Sequence, residues 1–415
     1  MKKLSLVLLL FVLTFSLAAC GRRVSRGDFD DLVSERDALL EQISALESER
    51  DGYRNQVDGL FDELSASLGR DVNALVSFVV LEETPRTIMV PFHTDDEANA
   101  FDLLKEAFGA QLEYNTDFGA PFVTGLGELS TQYGSFIEIL KNGEALEVGI
   151  ADASMNHADV FTFQLAWWDE TAKTIFELLN AFEETHLETA LETPNFYLFQ
   201  AYASRMNGPE LTHAFSPTPA DTAAGLVSQI LIARAVGDRE FDYQAALRAM
   251  LPSLEISDQY MFLNSLVFRA IEPERRAEVT TFLDAFGDYV DALTFDDVDS
   301  FDSVAMLVLA VDREFFLIEA TDYLEEAIFE QDNAASIALG LAALVASGRD
   351  PMNLTQDDQS VVDLLLSFHL GEGRFKWRAE DTTADMMFST PQSLLALVIL
   401  ENRLNNQPVQ PFLRP

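Results

Sequence analysis

Five stretches of this chain are apolar along almost their whole length, so that as helices they have no polar face to give to water. They run from Asp221-Thr222-Ala223-Ala224-Gly225-Leu226 to Ala233, from Asp258-Gln259-Tyr260 to Val267, from Asp302-Ser303-Val304-Ala305-Met306 to Ala310, from Asn333-Ala334-Ala335-Ser336 to Ala346, and from Ser389-Thr390-Pro391-Gln392 to Leu400. Each opens with a residue suited to capping a helix, continues rich in Ala and Leu, and is followed by a more amphipathic helix. The spacing, roughly 30 to 55 residues, is that of degenerate helical arrays. Helices of this kind must be covered on all sides. An inner ring of them inside an outer amphipathic ring meets the demand, which predicts an all-α, α/α toroid over residues 171–406, with 407–415 as a tail. An open solenoid is the competing arrangement.

The remaining sequence reads differently. Lys2 and Lys3 precede an apolar run, Leu4 to Phe15, too short for an ordinary transmembrane helix and suited to a signal peptide. The run ends in Leu17-Ala18-Ala19-Cys20-Gly21, which resembles the bacterial lipobox. That resemblance implies cleavage after Ala19, lipidation of Cys20, and a protein held on the extracellular face of a cell membrane by its acyl chains. Residues 1–19 are then the signal peptide and 20–28 the anchor and spacer. Cys20 is the only cysteine, so no disulfide framework, Cys-ligated zinc or cysteine nucleophile is expected.

Charge excludes other partners. The formal net charge is -42, from 69 acidic and 27 basic residues, and loss of Lys2 and Lys3 makes it -42 - 2 = -44. No nucleic acid is expected as a partner, and an anionic lipid surface would repel the chain, leaving the lipid anchor as the membrane contact.

From Phe29 a seven-residue pattern begins, with Phe29, Arg36, Ile43, Arg50, Val57 and Leu64 at a and Leu32, Leu39, Leu46, Tyr53 and Leu60 at d. It predicts a helical or coiled-coil stalk over residues 29–70, either pairing with a second copy as a homodimer or packing as a single helix on the next domain. Arg36, Arg50, Gly52 and Gly59 weaken the pattern.

Residues 72–170 read as a small α+β domain, β-grasp-like in expectation. Val76 to Glu82 and Thr87 to Phe92 are strand-like, and a helix with Ala98, Phe101, Leu104 and Phe108 on one face follows, capped by Asp95 or Asp96. Phe122-Val123, then a hairpin of Ser135 to Leu140 and Ala145 to Gly149 turning at Asn142-Gly143, and a last strand from Val160 to Trp168 complete it. The segments Ala100-Phe101-Asp102-Leu103-Leu104-Lys105, Tyr133-Gly134-Ser135-Phe136-Ile137-Glu138, Lys141-Asn142-Gly143-Glu144, Val148-Gly149-Ile150 and Asp159-Val160-Phe161-Thr162-Phe163 resemble the domain-of-unknown-function family 4430. That family is similar to the C-terminal domain of the vitamin B12 carriers. Phe136 stands after Gly-Ser, where the family commonly carries a Trp or another aromatic.

Ala335 to Leu344 with Gly348-Arg349-Asp350-Pro351, Gly371-Glu372-Gly373-Arg374-Phe375-Lys376-Trp377, and Met386-Met387-Phe388-Ser389-Thr390-Pro391-Gln392 to Leu397 resemble the prenyltransferase and squalene-cyclase repeats. The B12 carriers combine the same two modules, in the opposite order, around a corrinoid. The two resemblances together imply an extracellular small-molecule-binding lipoprotein, with a corrinoid as the candidate ligand held between the two modules and a vitamin transporter as partner. No cofactor is expected beyond such a ligand.

Enzyme chemistry is not expected. The Asp-x-Asp-Asp acid of squalene-type cyclases occurs only as Asp28-Phe29-Asp30-Asp31, in the stalk, and Asp296-Asp297-Val298-Asp299 has the wrong order. Protein prenyltransferases need a zinc-binding cysteine. His93, His157, His186, His213 and His369 lack metal-ligand spacing, although one imidazole could meet a corrinoid cobalt. The candidate ligand-binding residues are Tyr133, Phe136, Trp167, Trp168, Phe375 and Trp377. Two further readings are a module that binds a cell-surface protein or glycan and, last, an isoprenoid-acting enzyme.

Overall fold

The computed structural model describes residues 26–82, 84–95, 99–117, 119–205, 211, 220–237, 243–271, 277–295, 298, 300–311, 314–409 and 412. The signal peptide, its cleavage point at Ala19 and Cys20, His213, and the acidic positions Asp296, Asp297 and Asp299 lie outside the described residues. No helix among the described residues is long and apolar enough to cross a membrane.

Contacts divide the chain into two units. One holds the residues up to Ser130 together with Ile137–Leu165, and the other holds Thr131–Phe136 together with Ala166 onward.

The first unit opens with a single helix, α1 (Arg26–Leu68), unbroken through Gly52 and Gly59. At 43 residues it is about 65 Å long. Its last turns have tertiary partners: Phe61 meets the His157 ring edge-on at 5.6 Å, and the Ser65 hydroxyl accepts from the Val72 N–H at 3.0 Å.

A five-stranded mixed sheet follows, in the order β2 (Arg86–Phe92), β1 (Ala74–Val80), β8 (Val160–Trp167), β6 (Ser135–Lys141), β7 (Glu144–Ala145). Strand β1 pairs antiparallel with β2 (Val76 opposite Val90) and parallel with β8 (Phe78 opposite Phe161). The alternating burial of β1 follows the period of a strand with one face in the core, formed by Ala74, Val76, Phe78 and Val80. Against that face lies α2 (Ala100–Phe108), through Phe101, Leu104 and Phe108. A second sheet of β3 (Leu112–Asn115), β4 (Phe122–Leu126) and β5 (Leu129–Ser130) contributes Leu112, Val123 and Leu126 to the same core.

Two local readings are corrected. The cap of α2 is Asn99, whose side chain accepts from Asp102 N–H, rather than Asp95 or Asp96. The helix therefore begins one turn later than its apolar pattern suggests. The hairpin turn at Asn142-Gly143 is as expected, with φ of 55° and 85°, but β7 is only two residues long. What holds the turn is Asp159, which accepts from Asn142 Nδ2 at 2.9 Å and Asn156 N–H at 2.7 Å and pairs with Lys141 Nζ at 2.9 Å. Burial pushes the Asp159 carboxyl up, and these donors outweigh it, holding it below its ordinary value. The motif residues Lys141, Asn142 and Asp159 are thus one structural knot.

The second unit is helical: α3 (Glu170–Thr185), α4 (Phe196–Arg205), α5 (Ala223–Ala235), α6 (Tyr243–Met250), α7 (Met261–Ala270), α8 (Ala277–Asp291), α9 (Phe301–Ala310), α10 (Glu314–Ala327), α11 (Ala334–Ala346), α12 (Val361–Leu366) and α13 (Ser389–Leu404). Side-chain caps start many of them: Asp169 for α3, Thr222 for α5, Ser300 for α9, Asn333 for α11, and Ser360 with Asp363 in a capping box for α12. For α9 the cap is Ser300, and Asp302 lies inside the first turn instead.

The apolar helices pack in succession, α4 on α5, α5 on α7, α7 on α9, α9 on α11, α11 on α13, and α13 again on α4. Helices α3, α6, α10 and α12 pack against them, α3 on α13, α6 on α5, α10 on α9 and α11, and α12 on α11. The result is burial of Ala334 to Val345 and of Ser389 to Leu400 without interruption. Gly340 permits the closest of these approaches. A Cβ there would lie 2.6 Å from the Phe301 ring and 2.8 Å from Ile328.

Candidate functional site

A cavity of about 570 Å³ lies in the helical unit. It is lined by Gln132, Phe176 of α3, Ser204 and Arg205 at the end of α4, Glu401 and Asn402 at the end of α13, and Asn405, Gln407 and Pro408 beyond it.

Its charged wall is built first. Arg205 is 12 % exposed in its side chain and Glu401 13 %, and Arg205 Nε lies 3.0 Å from Glu401 Oε2. Arg205 Nη1 also donates to Glu183 at 3.2 Å and Nη2 to Asn180 Oδ1 at 2.8 Å. Burial raises the Glu401 carboxyl above its ordinary value, while Arg205 opposes the rise and Glu183 adds to it. One guanidinium shared by two carboxylates leaves this wall without a spare positive charge.

The neutral wall is built from amides. Asn402 Nδ2 donates to Ser204 Oγ at 2.8 Å, and the Tyr133 N–H donates to Asn405 Oδ1 at 2.7 Å. Tyr133 can reach Asn405 because residues 132–135 form a tight turn. Ser135 N–H bonds Gln132 O at 3.0 Å, and Gly134 takes φ 83°, as the third residue of a type II turn must. A Cβ at Gly134 would lie 2.8 Å from Ala172 and 2.9 Å from Asp169, so the turn sits flat on the start of α3. This seat is why residues 131–136 belong to the helical unit.

Aromatic rings complete the surroundings. Trp167 packs on the cavity-lining Phe176 with centroids 5.4 Å apart, and Tyr133 meets Trp168 edge-on at 5.4 Å. Trp168 is 63 % exposed and Tyr133 39 %. Two of the six sequence-derived candidates, Tyr133 and Trp167, therefore touch cavity-lining residues, Asn405 and Phe176, and Trp168 packs on Tyr133. Phe136 is half-buried, two residues past Gly134.

Phe375 and Trp377 are elsewhere. Phe375 is fully buried in the helical core, its N–H donating to Thr390 Oγ1 at 2.9 Å. Its loop is folded around His369, whose Nε2 accepts from the Gly371 and Gly373 N–H groups at 3.2 and 3.3 Å. Burial, then the nearby Arg374, lowers the His369 value. A Cβ at Gly373 would stand 2.4 Å from Phe182 and 2.7 Å from the Leu178 carbonyl oxygen, so this loop is pressed onto α3. Trp377 packs edge-on against the exposed Phe388 at 6.3 Å.

The cavity residues that sequence reasoning missed are Gln132, Phe176, Ser204, Arg205, Glu401, Asn402, Asn405 and Gln407. No motif marks them, since they come from four separate segments. One available signal was the cluster Glu401-Asn402-Arg403 with Asn405-Asn406-Gln407, an abrupt polar end to the apolar α13. A second buried polar group was also missed: Tyr197, Asp302, Ser336 and Gln392, near the beginnings of α4, α9, α11 and α13. Burial raises the Asp302 carboxyl there, with the Ser336 hydroxyl opposing it. A further apolar groove of about 300 Å³ is lined by Leu251, Pro252, Leu254, Ile256 and Phe282 among others.

Among the described residues no cluster of three or more His, Cys, Asp or Glu side chains is arranged to hold a metal ion. His186 pairs with Glu372 at 3.0 Å, and His157 accepts from the Leu75 N–H.

No family model matches the sequence, and no curated protein matches it significantly. Among solved structures, a chain from Ruminococcus gnavus ATCC 29149, described provisionally as a metal-binding protein, aligns at 15 % identity with a TM-score of 0.20. The alignment covers 23 % of this chain and 98 % of that one.

Proposed function

We propose that this chain is an extracellular small-molecule-binding lipoprotein, anchored to the membrane through Cys20, whose helical unit captures a ligand in the 570 Å³ cavity. The succession of apolar helices that returns from α13 to α4 supports reading that unit as an α/α toroid. The central parallel pair β1–β8 with α2 across it supports a β-grasp-like reading of the first unit.

The observation that carries the binding proposal is the composition of the cavity wall. A volume of this size, with a few converging polar groups and an aromatic face, is the usual form of a ligand site. Its charged group, Arg205, is compensated by Glu183 and Glu401. What then faces a ligand is a set of neutral donors and acceptors, Ser204, Asn402, Asn405, Gln407 and Gln132, beside the Phe176 ring. This suits an uncharged, amide- or hydroxyl-rich ligand with a flat apolar part. A corrinoid, the ligand implied by the resemblance to the B12 carriers, has amide side chains around a flat ring. A vitamin transporter would be the receiving partner.

The test is to incubate the purified chain with cyanocobalamin and with cobinamide, pass it over a desalting column, and measure retained absorbance. Coloured protein is expected, with retention reduced at least about tenfold in Phe176→Ala, the loss of roughly one ring contact. Colourless protein with both corrinoids would overturn the corrinoid assignment. Undiminished retention by Phe176→Ala would move the site out of this cavity.

A surface-interaction role is favoured by a different observation. Met386, Met387 and Phe388 form an exposed apolar run beside Trp377, and such runs mark protein contacts more often than accident.

A further inference from the structure

The helix α1 exposes large apolar side chains at a strict interval of seven. Leu39, Leu46, Tyr53 and Leu60 are 52, 64, 59 and 64 % exposed. All four are d positions of the heptad, and Val57, at a, is also exposed. Among the described residues, nothing is seen to cover this seam before Phe61. A lone helix of ordinary composition gains little from propensity, so an apolar stripe this long is a seam for another helix.

The charges indicate which helix. All four arginines of α1 fall on the seam side of the heptad: Arg36 and Arg50 at a, and Arg26 and Arg54 at e. The aspartates at 30, 31, 37, 51, 58 and 62 occupy b, c or f, away from it. The g positions are Asp28, Glu35, Gln42, Glu49, Gln56 and Glu63, with no positive charge among them. Within one chain, Arg36 and Arg50 pair with their neighbours Asp37 and Asp51, in exposed pairs at 2.6 and 2.5 Å that contribute little.

We infer that α1 pairs with α1 of a second copy of this chain as a parallel, in-register coiled coil. In that arrangement the g position of one helix flanks the a and e' positions of the other. Glu35 then meets the partner's Arg36, and Glu49 meets the partner's Arg50 and Arg54. Each contact occurs twice by symmetry. The long arginine stems lie along the seam while their guanidinium groups turn outward to the glutamates, which separates the two arginines facing each other at each a layer. An antiparallel pair would instead set g against g, bringing Glu35, Glu49 and Glu63 against like charges. The charge pattern thus favours one orientation and opposes the other. Gly52 and Gly59, both at c, point away from the seam and do not interrupt it.

The experiment is oxidative cross-linking of the full chain in detergent, using single variants Leu39→Cys and Leu60→Cys, with Ser48→Cys at an outward f position as reference. Both seam variants should form disulfide-linked dimers with themselves, at least about tenfold faster than the Ser48→Cys variant, because only at the seam do facing Cβ atoms come within disulfide reach. Failure of either seam variant to cross-link overturns the proposal. The charge rule has its own test. Arg36→Glu/Arg50→Glu and Glu35→Arg/Glu49→Arg chains should each fail to self-associate in sedimentation, and an equal mixture should dimerise as the unaltered chain does. Self-association of either double variant at the unaltered strength overturns the charge assignment. None of these substitutions touches the ligand cavity, so their outcome is independent of corrinoid binding.

Discussion

Two helices of this chain, α11 and α1, solve the same problem in opposite ways. In α11 every side chain from Ala334 to Val345 is buried, and the helix is held by neighbours on all sides. In α1 the residues from Ser34 to Leu60 are almost all exposed, and among the described residues tertiary contact begins at Phe61. Their glycines make the difference concrete. At Gly340 a single added carbon would lie 2.6 Å from a phenylalanine ring, while at Gly52 and Gly59 it would meet nothing within 4 Å. Glycine in α11 is required by packing. In α1 it only weakens the helix.

The contrast is broken most directly by removing what each helix rests on. Leu341→Ala in α11 should cost about 3–4 kcal/mol in denaturant unfolding, the range for a Leu-to-Ala cavity in a core that cannot collapse. A cost below 1 kcal/mol would mean that this interior is not close-packed. Arg205→Ala should be similarly severe, about 3 kcal/mol, because it strands the buried Glu401 carboxylate beside Glu183. Arg205→Met together with Glu401→Leu should recover much of that loss.

Smaller effects should have opposite signs in the two helices. Gly340→Ala is expected to destabilise by about 1–3 kcal/mol through overpacking against Phe301 and Ile328. Gly52→Ala and Gly59→Ala should each favour helix by about 1 kcal/mol, read as increased ellipticity and later melting of α1. Destabilisation by the stalk substitutions would contradict their open surroundings.

The smallest expected effect is of pH, through His369. A histidine whose folded value is lowered contributes no pH dependence well above its ordinary 6.5, and stability declines as pH falls from there through the lowered value. The melting temperature should therefore drop on acidification from neutrality, and His369→Gln, which keeps an acceptor for the Gly371 and Gly373 N–H groups, should reduce that slope. An unchanged slope would place the acid sensitivity elsewhere, for instance at Asp159, whose stabilising contribution is lost as pH falls through its own depressed value.

Much of the fold could be read locally. The heptads of α1, the alternating strands β1 and β8, the Asn142-Gly143 turn and the Ala- and Leu-rich helices all follow from short-range patterns, and each has its element in the structure. The sequence pattern does not mark the short β3 and β5, of four and two residues, or the cap Asn99, because neither so short a strand nor a one-turn shift in helix start leaves a periodic trace. Of the candidate site residues, Tyr133 and Trp167 each touch a residue that lines the cavity, Asn405 and Phe176, whereas Phe375 is core. Aromatic composition alone does not separate a ring beside a cavity from one that fills the interior.

By itself the sequence determined the type of the longer elements, the Ala- and Leu-rich helices and the alternating strands β1 and β8, since backbone preference and hydrophobic period are properties of a few neighbouring residues. Only the tertiary structure decided what the polar ends of α4 and α13 would do. Ser204 and Asn402 are 198 residues apart and share a hydrogen bond, and Arg205 reaches Glu401 across a similar interval. Such pairs depend on how helices pack, and packing is set by the shape of the whole interior.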